Sequence, residues 1–197
     1  SLYDSHMECG NTAAGGCTRC YYVSFGSYMD MNNSIANGST STAVNVANGA
    51  YARMDSFYVH GSTTHGMVMS NAKCQGEDFR TYANGDHGTI FQFSAQAILE
   101  DSTWAWNASR GLLCQFHCYL DFPDCNIVSN AGTGAYFYEG SSGRCTNGNL
   151  SYNGNGGSYC GYNSHLYRSG ASYVGNTSFS YQPTPLANIA NIESYTS

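Results

Sequence analysis

Apolar and polar residues alternate over short stretches such as "TIFQFSAQA" (89–97) and "NGNLSYNG" (147–154), and no segment sustains apolar residues at i, i+3, i+4 and i+7. A period of two is the mark of β-strands with one face inward. The pattern therefore predicts many short strands and almost no helix.

The strands recur. Asn32, Asp55, Asp78, Asp101, Asp124 and Asn147 stand 23 residues apart. Eleven residues before these positions come Tyr21, Val44, Met67, Ile90, Leu113 and Tyr136, with Tyr159 next in step. Three residues after them come Ile35, Tyr58, Thr81, Trp104, Ile127 and Leu150, then Tyr173. Both series read as buried columns. Gly88, Gly111, Gly134 and Gly157 mark a corner where the chain needs a positive φ or a tight approach. Past Asn147 the next Asx-like position is Asn176, which implies an insertion in the last coil.

A period in the low twenties, short strands and stacked like residues predict an all-β, single-domain parallel β-helix (β-solenoid) of about seven coils with a 23-residue period. Leucine-rich repeats share the period, but no L-x-x-L-x-L series is present. The solenoid is assigned to residues 20–181, a Cys-containing N-terminal cap or arm to 1–19, and a C-terminal tail or cap to 182–197. The Asx ladder and aliphatic columns resemble those of the right-handed parallel β-helix class, the pectate-lyase-like fold. The resemblance covers about residues 20–181 and is architectural, with no family catalytic motif matched.

Composition narrows the partners. Seven Lys plus Arg against thirteen Asp plus Glu give a net charge of −6, so there is no basic footprint for nucleic acid. No run approaches the roughly 18 apolar residues that would span a bilayer, and the opening at Ser1 reads as a mature or trimmed product. Nine cysteines, Cys9, Cys17, Cys20, Cys74, Cys114, Cys118, Cys125, Cys145 and Cys160, point to disulfides in a secreted, extracellular setting. Their pairing is open, and the odd count leaves one thiol free or paired between chains. "CTRC" and "CQFHC" lack partner pairs at zinc-finger spacing. N-x-S/T triplets make Asn32, Asn37, Asn107, Asn149 and Asn176 candidates for glycosylation.

Two constellations carry candidate chemistry. Glu77 and Glu100 adjoin the Asx column, so Asp55, Glu77, Asp78, Glu100, Asp101 and Asp124 form one acidic edge. Strands stack about 4.8 Å apart, where each like-charged neighbour costs roughly 1 kcal/mol in water. One reading is a Ca²⁺ site, with Arg53, Lys73 and Arg80 as positive partners; the resemblance implies that such an ion accompanies proton abstraction from an acidic sugar. The other is a ladder of Asx turns. Elsewhere, His87 and Arg110 share a column beside Asp86, as a general base and an anion-binding guanidinium would, or as polar residues of an exposed corner do.

The leading expectation is a non-catalytic extracellular structural protein whose exposed strand edges drive head-to-tail self-assembly into a fibre or surface layer, with glycans as further partners. The alternative is a polysaccharide lyase or hydrolase of pectate-lyase-like type using the acidic stripe and Ca²⁺. No other cofactor is expected.

Overall fold

The computed structural model describes residues 13–183 and the short strands Leu2–Tyr3 and His6–Glu8, with side chains described from residue 16 to residue 179. Every strand pairing is parallel, in three sheets of nine, eight and six strands. One coil illustrates the course: Thr89–Gln92 lies in sheet 1, Gln96–Glu100 in sheet 2 and Thr103–Ala105 in sheet 3, and Leu112–Gln115 then returns to sheet 1 beside the start. No helix occurs among the described residues. This is the parallel β-helix that the periodicity predicts.

The period has one exception, and it moves the columns. Sheet 1 steps from Val44 to Met67 by 23 residues and from Met67 to Thr89 by 22. The missing residue lies in the corner between sheets 1 and 2, where "SNAK" (70–73) replaces the five-residue "ANGAY" (47–51) of the coil before. A fixed grid of 23 is therefore one residue out of phase on either side of Asn71. The inward column of sheet 1 runs Tyr21, Val44, Met67, Thr89, Leu112, Ala135, whereas Ile90 and Leu113 pair with each other on the outer face and stand outside the hydrophobic core. Ile35 and Tyr58 likewise face outward, while Thr81, Trp104 and Ile127 face in.

The interior is filled by Phe57, Phe79, Phe91, Trp104, Phe122, Phe137 and the methionines 31, 54, 67 and 69, all fully buried. Trp104 donates its Nε1–H to the inward Thr89 hydroxyl at 3.0 Å, so the one polar atom of the largest core side chain is satisfied.

At the corner from sheet 3 to sheet 1 a buried asparagine ladder takes over from side-chain packing. Asn84, Asn107, Asn130, Asn153 and Asn176 recur every 23 residues. Each Oδ1 from Asn107 onward accepts both the backbone N–H and an Nδ2–H of the asparagine one coil earlier, at 2.9–3.3 Å. The ladder reaches Asn176 in step, so the last coil carries no insertion. The glycines beside it serve close approach rather than positive φ: a Cβ on Gly88 would lie 2.7 Å from Asn107 Nδ2 and 2.5 Å from the Gly111 carbonyl oxygen.

Within residues 1–19, expected as a cap or arm, the described strands extend all three sheets. Leu2–Tyr3, His6–Glu8 and Ala13–Gly15 pair in parallel with the first full coil. The tail beyond 183 and Cys9 lie outside the described residues.

The disulfide expectation is also revised, because Cys17, Cys20, Cys74, Cys114, Cys118, Cys125 and Cys145 carry free thiols. Most fill core positions as small hydrophobes. Cys125 Sγ reaches the Leu99 carbonyl at 3.1 Å and Cys118 Sγ the Gln115 carbonyl at 3.0 Å. Burial pushes the Cys118 thiol up to about 11 and the Cys145 thiol up to about 12.

Candidate functional site

The outer face of sheet 1 presents three columns of side chains. Its first column comes from the corner that the asparagine ladder holds rigid: His65, His87 and Arg110 each directly precede a sheet-1 position of the ladder corner. The second is apolar to aromatic, running Val68, Ile90, Leu113, Tyr136, Tyr159. The third is polar: Gln115 Nε2 donates to Gln92 Oε1 at 3.2 Å, and Gln92 Nε2 to Ser70 Oγ at 2.7 Å.

Stacking in the first column brings unlike groups together. The His65 and His87 rings stack with centroids 5.3 Å apart, and Arg110 Nη1 lies 3.4 Å from His87 Nε2. Asp86 Oδ1 is 3.1 Å from His87 Nδ1, and its Oδ2 is 3.6 Å from His65 Nδ1. The Arg110 backbone N–H also approaches His87 Nδ1, at 3.3 Å. His87 Nδ1 accepts the Arg110 backbone N–H beside the Asp86 carboxylate, and Nε2 faces the Arg110 guanidinium.

Burial, with Arg110 and His65 acting in the same sense, pulls His87 down to about 4 against the opposing pull of Asp86, so the imidazole is neutral at pH 7. Burial lowers His65 as well. His87 is only 9% exposed, which corrects the expectation that it is polar merely because its corner is open to water.

Tyr136 joins the His87–Arg110 column to the aromatic one. Arg110 lies over its ring at 4.3 Å from the centroid, and Tyr159 stacks on its other side at 4.4 Å. Burial and the neighbouring Tyr159 push the Tyr136 hydroxyl up to about 12, so it keeps its proton at neutral pH. The sequence reading missed this tyrosine by placing it in a buried column; its stand in the coil after Arg110 was the available signal.

The acidic edge is divided. With the 22-residue step included, Asp55, Glu77 and Glu100 form one column, and Ser56, Asp78, Asp101 and Asp124 the next. Members of the second column sit at φ +49° to +56°, the left-handed conformation that Asp adopts with least strain. Asp55 accepts the Glu77 backbone N–H at 3.1 Å and pairs with Arg53 at 2.8 Å; Asp78 pairs with Arg80 at 2.7 Å. Lys73 stands in sheet 2 beside Tyr51 and Gln96. Among the described residues no three His, Cys, Asp or Glu side chains converge as a metal cage. Asp55 and Asp78 thus serve corner turns and surface ion pairs.

The glycosylation candidates separate in the same way. Asn107 is 1% exposed, and its Nδ2, the atom a glycan would occupy, donates to Asn130 Oδ1, which excludes it as an acceptor in the folded chain. Asn176 Nδ2 donates to the Leu150 carbonyl at 2.9 Å. Asn32, Asn37 and Asn149 are partly exposed.

No protein-family model matches the sequence, and neither does any curated protein. Solved structures place the fold among parallel β-helix proteins, in line with the pectate-lyase-like resemblance. The chain is similar to the periplasmic alginate epimerase AlgG, with a TM-score of 0.71 and 13% identity over 87% of this chain and 49% of that one. It is also similar to the A-module of the mannuronan C-5 epimerase AlgE4 of Azotobacter vinelandii, with a TM-score of 0.60 and 12% identity over 89% of this chain and 64% of that one. The chain therefore spans about half the length of the first and less than two thirds of the second. At this identity the likeness establishes the shared fold. No helix among the described residues is long and apolar enough to cross a membrane.

Proposed function

We propose that the chain is a carbohydrate-active enzyme that removes the C5 proton of a uronate residue in an acidic polysaccharide and returns a proton to C5 with inverted configuration. The observation that carries this reading is the neutral His87 imidazole 3.4 Å from the Arg110 guanidinium, with Asp86 behind it. A C5–H next to an ionised carboxylate is a poor acid; an arginine paired to that carboxylate offsets the charge that develops on it during proton removal. His87 Nε2 takes the proton, Asp86 stabilises the resulting imidazolium through Nδ1–H, and the protonated Tyr136 hydroxyl supplies a proton to the carbanion.

The apolar strip of Ile90 and Leu113 suits the faces of sugar rings, and the Gln92–Gln115 column suits their hydroxyls. The two epimerases of similar fold support an enzyme over the non-catalytic structural subunit. A site of action outside the cytoplasm, in periplasm or medium, accords with the name of the first. The alternative fate of the same carbanion is expulsion of the glycosidic oxygen at C4, which would make the protein a lyase.

The test is incubation with polymannuronate and polygalacturonate in D₂O. Deuterium at C5 of the inverted residue, read by NMR, supports the epimerase; unsaturated chain ends, read by ultraviolet absorbance, assign the lyase branch. No exchange at C5 with either polymer overturns the reading.

Self-assembly keeps one supporting observation: sheet 2 ends at His165–Ser169, beside which no further strand lies among the described residues. Sedimentation over a range of concentrations tests it, and a monomer throughout would rule it out.

A further inference from the structure

The asparagine ladder does not reach the N-terminal coils. Its position is held by Ser62 and Ser39 below Asn84, and by Cys17 in the first corner, whose carbonyl accepts the Thr40 N–H as the Asn84 carbonyl accepts that of Ala108. Three residues on, Cys20 takes the position held by Ala43, Gly66, Gly88 and Gly111 in later coils. In the coils that carry glycine there a side chain is excluded: a Cβ on Gly66 would come within 2.8 Å of the ladder amide of Asn84.

The pair is already arranged for bonding. Cys17 Sγ lies 3.2 Å from Cys20 Sγ, and both residues are partly exposed. The tetrapeptide is anchored at each end by the next coil, through Thr40 N–H to the Cys17 carbonyl at 2.9 Å and Cys20 N–H to the Ala43 carbonyl at 2.8 Å. Closing to a disulfide of about 2.05 Å requires side-chain movement of roughly 1 Å and leaves these bonds in place. The other thiols so described sit in the core, where Cys74 and Cys114 are fully buried and an oxidant cannot reach them.

We propose that Cys17 and Cys20 are a redox pair whose disulfide locks the first corner of the solenoid. The co-reactant is a low-molecular-weight disulfide. The Cys17 thiolate attacks one of its sulfurs, forming a mixed disulfide and releasing one small thiolate. The Cys20 thiolate then attacks Cys17 Sγ, forming the internal bond and releasing the second. Two protons leave the protein thiols and two electrons reduce the small disulfide to two thiols. The closed ring holds Arg19, which stacks over Tyr22 at 5.7 Å. The proposal is independent of the catalytic reading.

Trypsin cleaves after Arg19, inside the ring, so the disulfide joins peptide 1–19 to peptide 20–53. The full chain is equilibrated in glutathione buffers from reducing to oxidising, alkylated, digested and mapped by mass spectrometry, with Cys9→Ser in parallel. The cross-linked pair is expected to build up under oxidising buffer in both proteins and to vanish with dithiothreitol. Fragment ions on the native chain locate the bond even where the variant fails to fold. Alkylation of Cys17 and Cys20 in every buffer would overturn the proposal, as would a cross-link that fragment ions assign to Cys9.

Discussion

His87 Nε2 and Arg110 Nη1 lie 3.4 Å apart although 23 residues separate them in the chain. Their contact is a consequence of winding, since one residue stands a single coil above the other. The same winding sets Asp86 behind the imidazole and Tyr136 under the guanidinium.

Replacing His87 with Ala should lower the rate of C5 exchange by about 10²–10⁴-fold, the usual contribution of a positioned general base. Arg110→Lys should also lose rate, because an ammonium cannot pair both carboxylate oxygens while lying over Tyr136. Exchange into the polymer at native rate in either variant would remove the pair from the mechanism.

The rate should be flat from neutrality down toward about pH 4 and fall as His87 takes up a proton. The sign for stability follows from the same shift. Between the ordinary value of 6.5 and about 4 the unfolded chain binds a proton at this site and the folded chain does not. His87 therefore contributes stability above pH 6.5 that is lost as the pH falls through that window. Melting curves at stepped pH should show His87→Gln with a weaker acid dependence than the native chain.

Asn107→Ala should cost about 3 kcal/mol, because it leaves the Asn84 backbone N–H and one Nδ2–H buried without their acceptor. Urea unfolding with fluorescence and circular dichroism followed together gives the value. A loss below about 0.5 kcal/mol would mean that the ladder is decoration.

Ala83 holds φ +54°, in the corner column where Gly38 and Gly61 stand in earlier coils. Ala83→Gly should leave stability unchanged or raise it by up to about 1 kcal/mol, against the loss glycine causes in ordinary conformations. A destabilisation above 1 kcal/mol in denaturant titration would contradict this conformation.

Inserting one Gly between Asn71 and Ala72 restores the five-residue corner of the neighbouring coils and should cost little, about 1 kcal/mol or less. The same insertion between Val68 and Met69 turns inward residues outward along the strand and should unfold that coil. Hydrogen exchange by coil distinguishes the two.

Much of this architecture was legible in the sequence because stacking forces like residues into equal spacing. The phase was not, since the short corner at Asn71 shifts every column by one and a fixed grid absorbs the shift silently. Thus Met67 was aligned with Ile90 in place of Thr89, and the acids of two columns merged into one stripe. The His87–Arg110 pair survived because both lie on the same side of the short corner. The asparagine ladder was hidden in another way: Asn107 and Asn176 also fit glycosylation triplets, and only burial distinguishes a rung from an acceptor. Tyr136 was assigned inward because a tyrosine between apolar neighbours carries no mark of which face it takes.

The shortened corner at Asn71 has a wider implication for how such a molecule changes. It is a dislocation that the strand register heals within one bend, so neighbouring layers never sense it. A residue can be gained or lost at such a bend while the outer face of sheet 1 stays aligned from layer to layer.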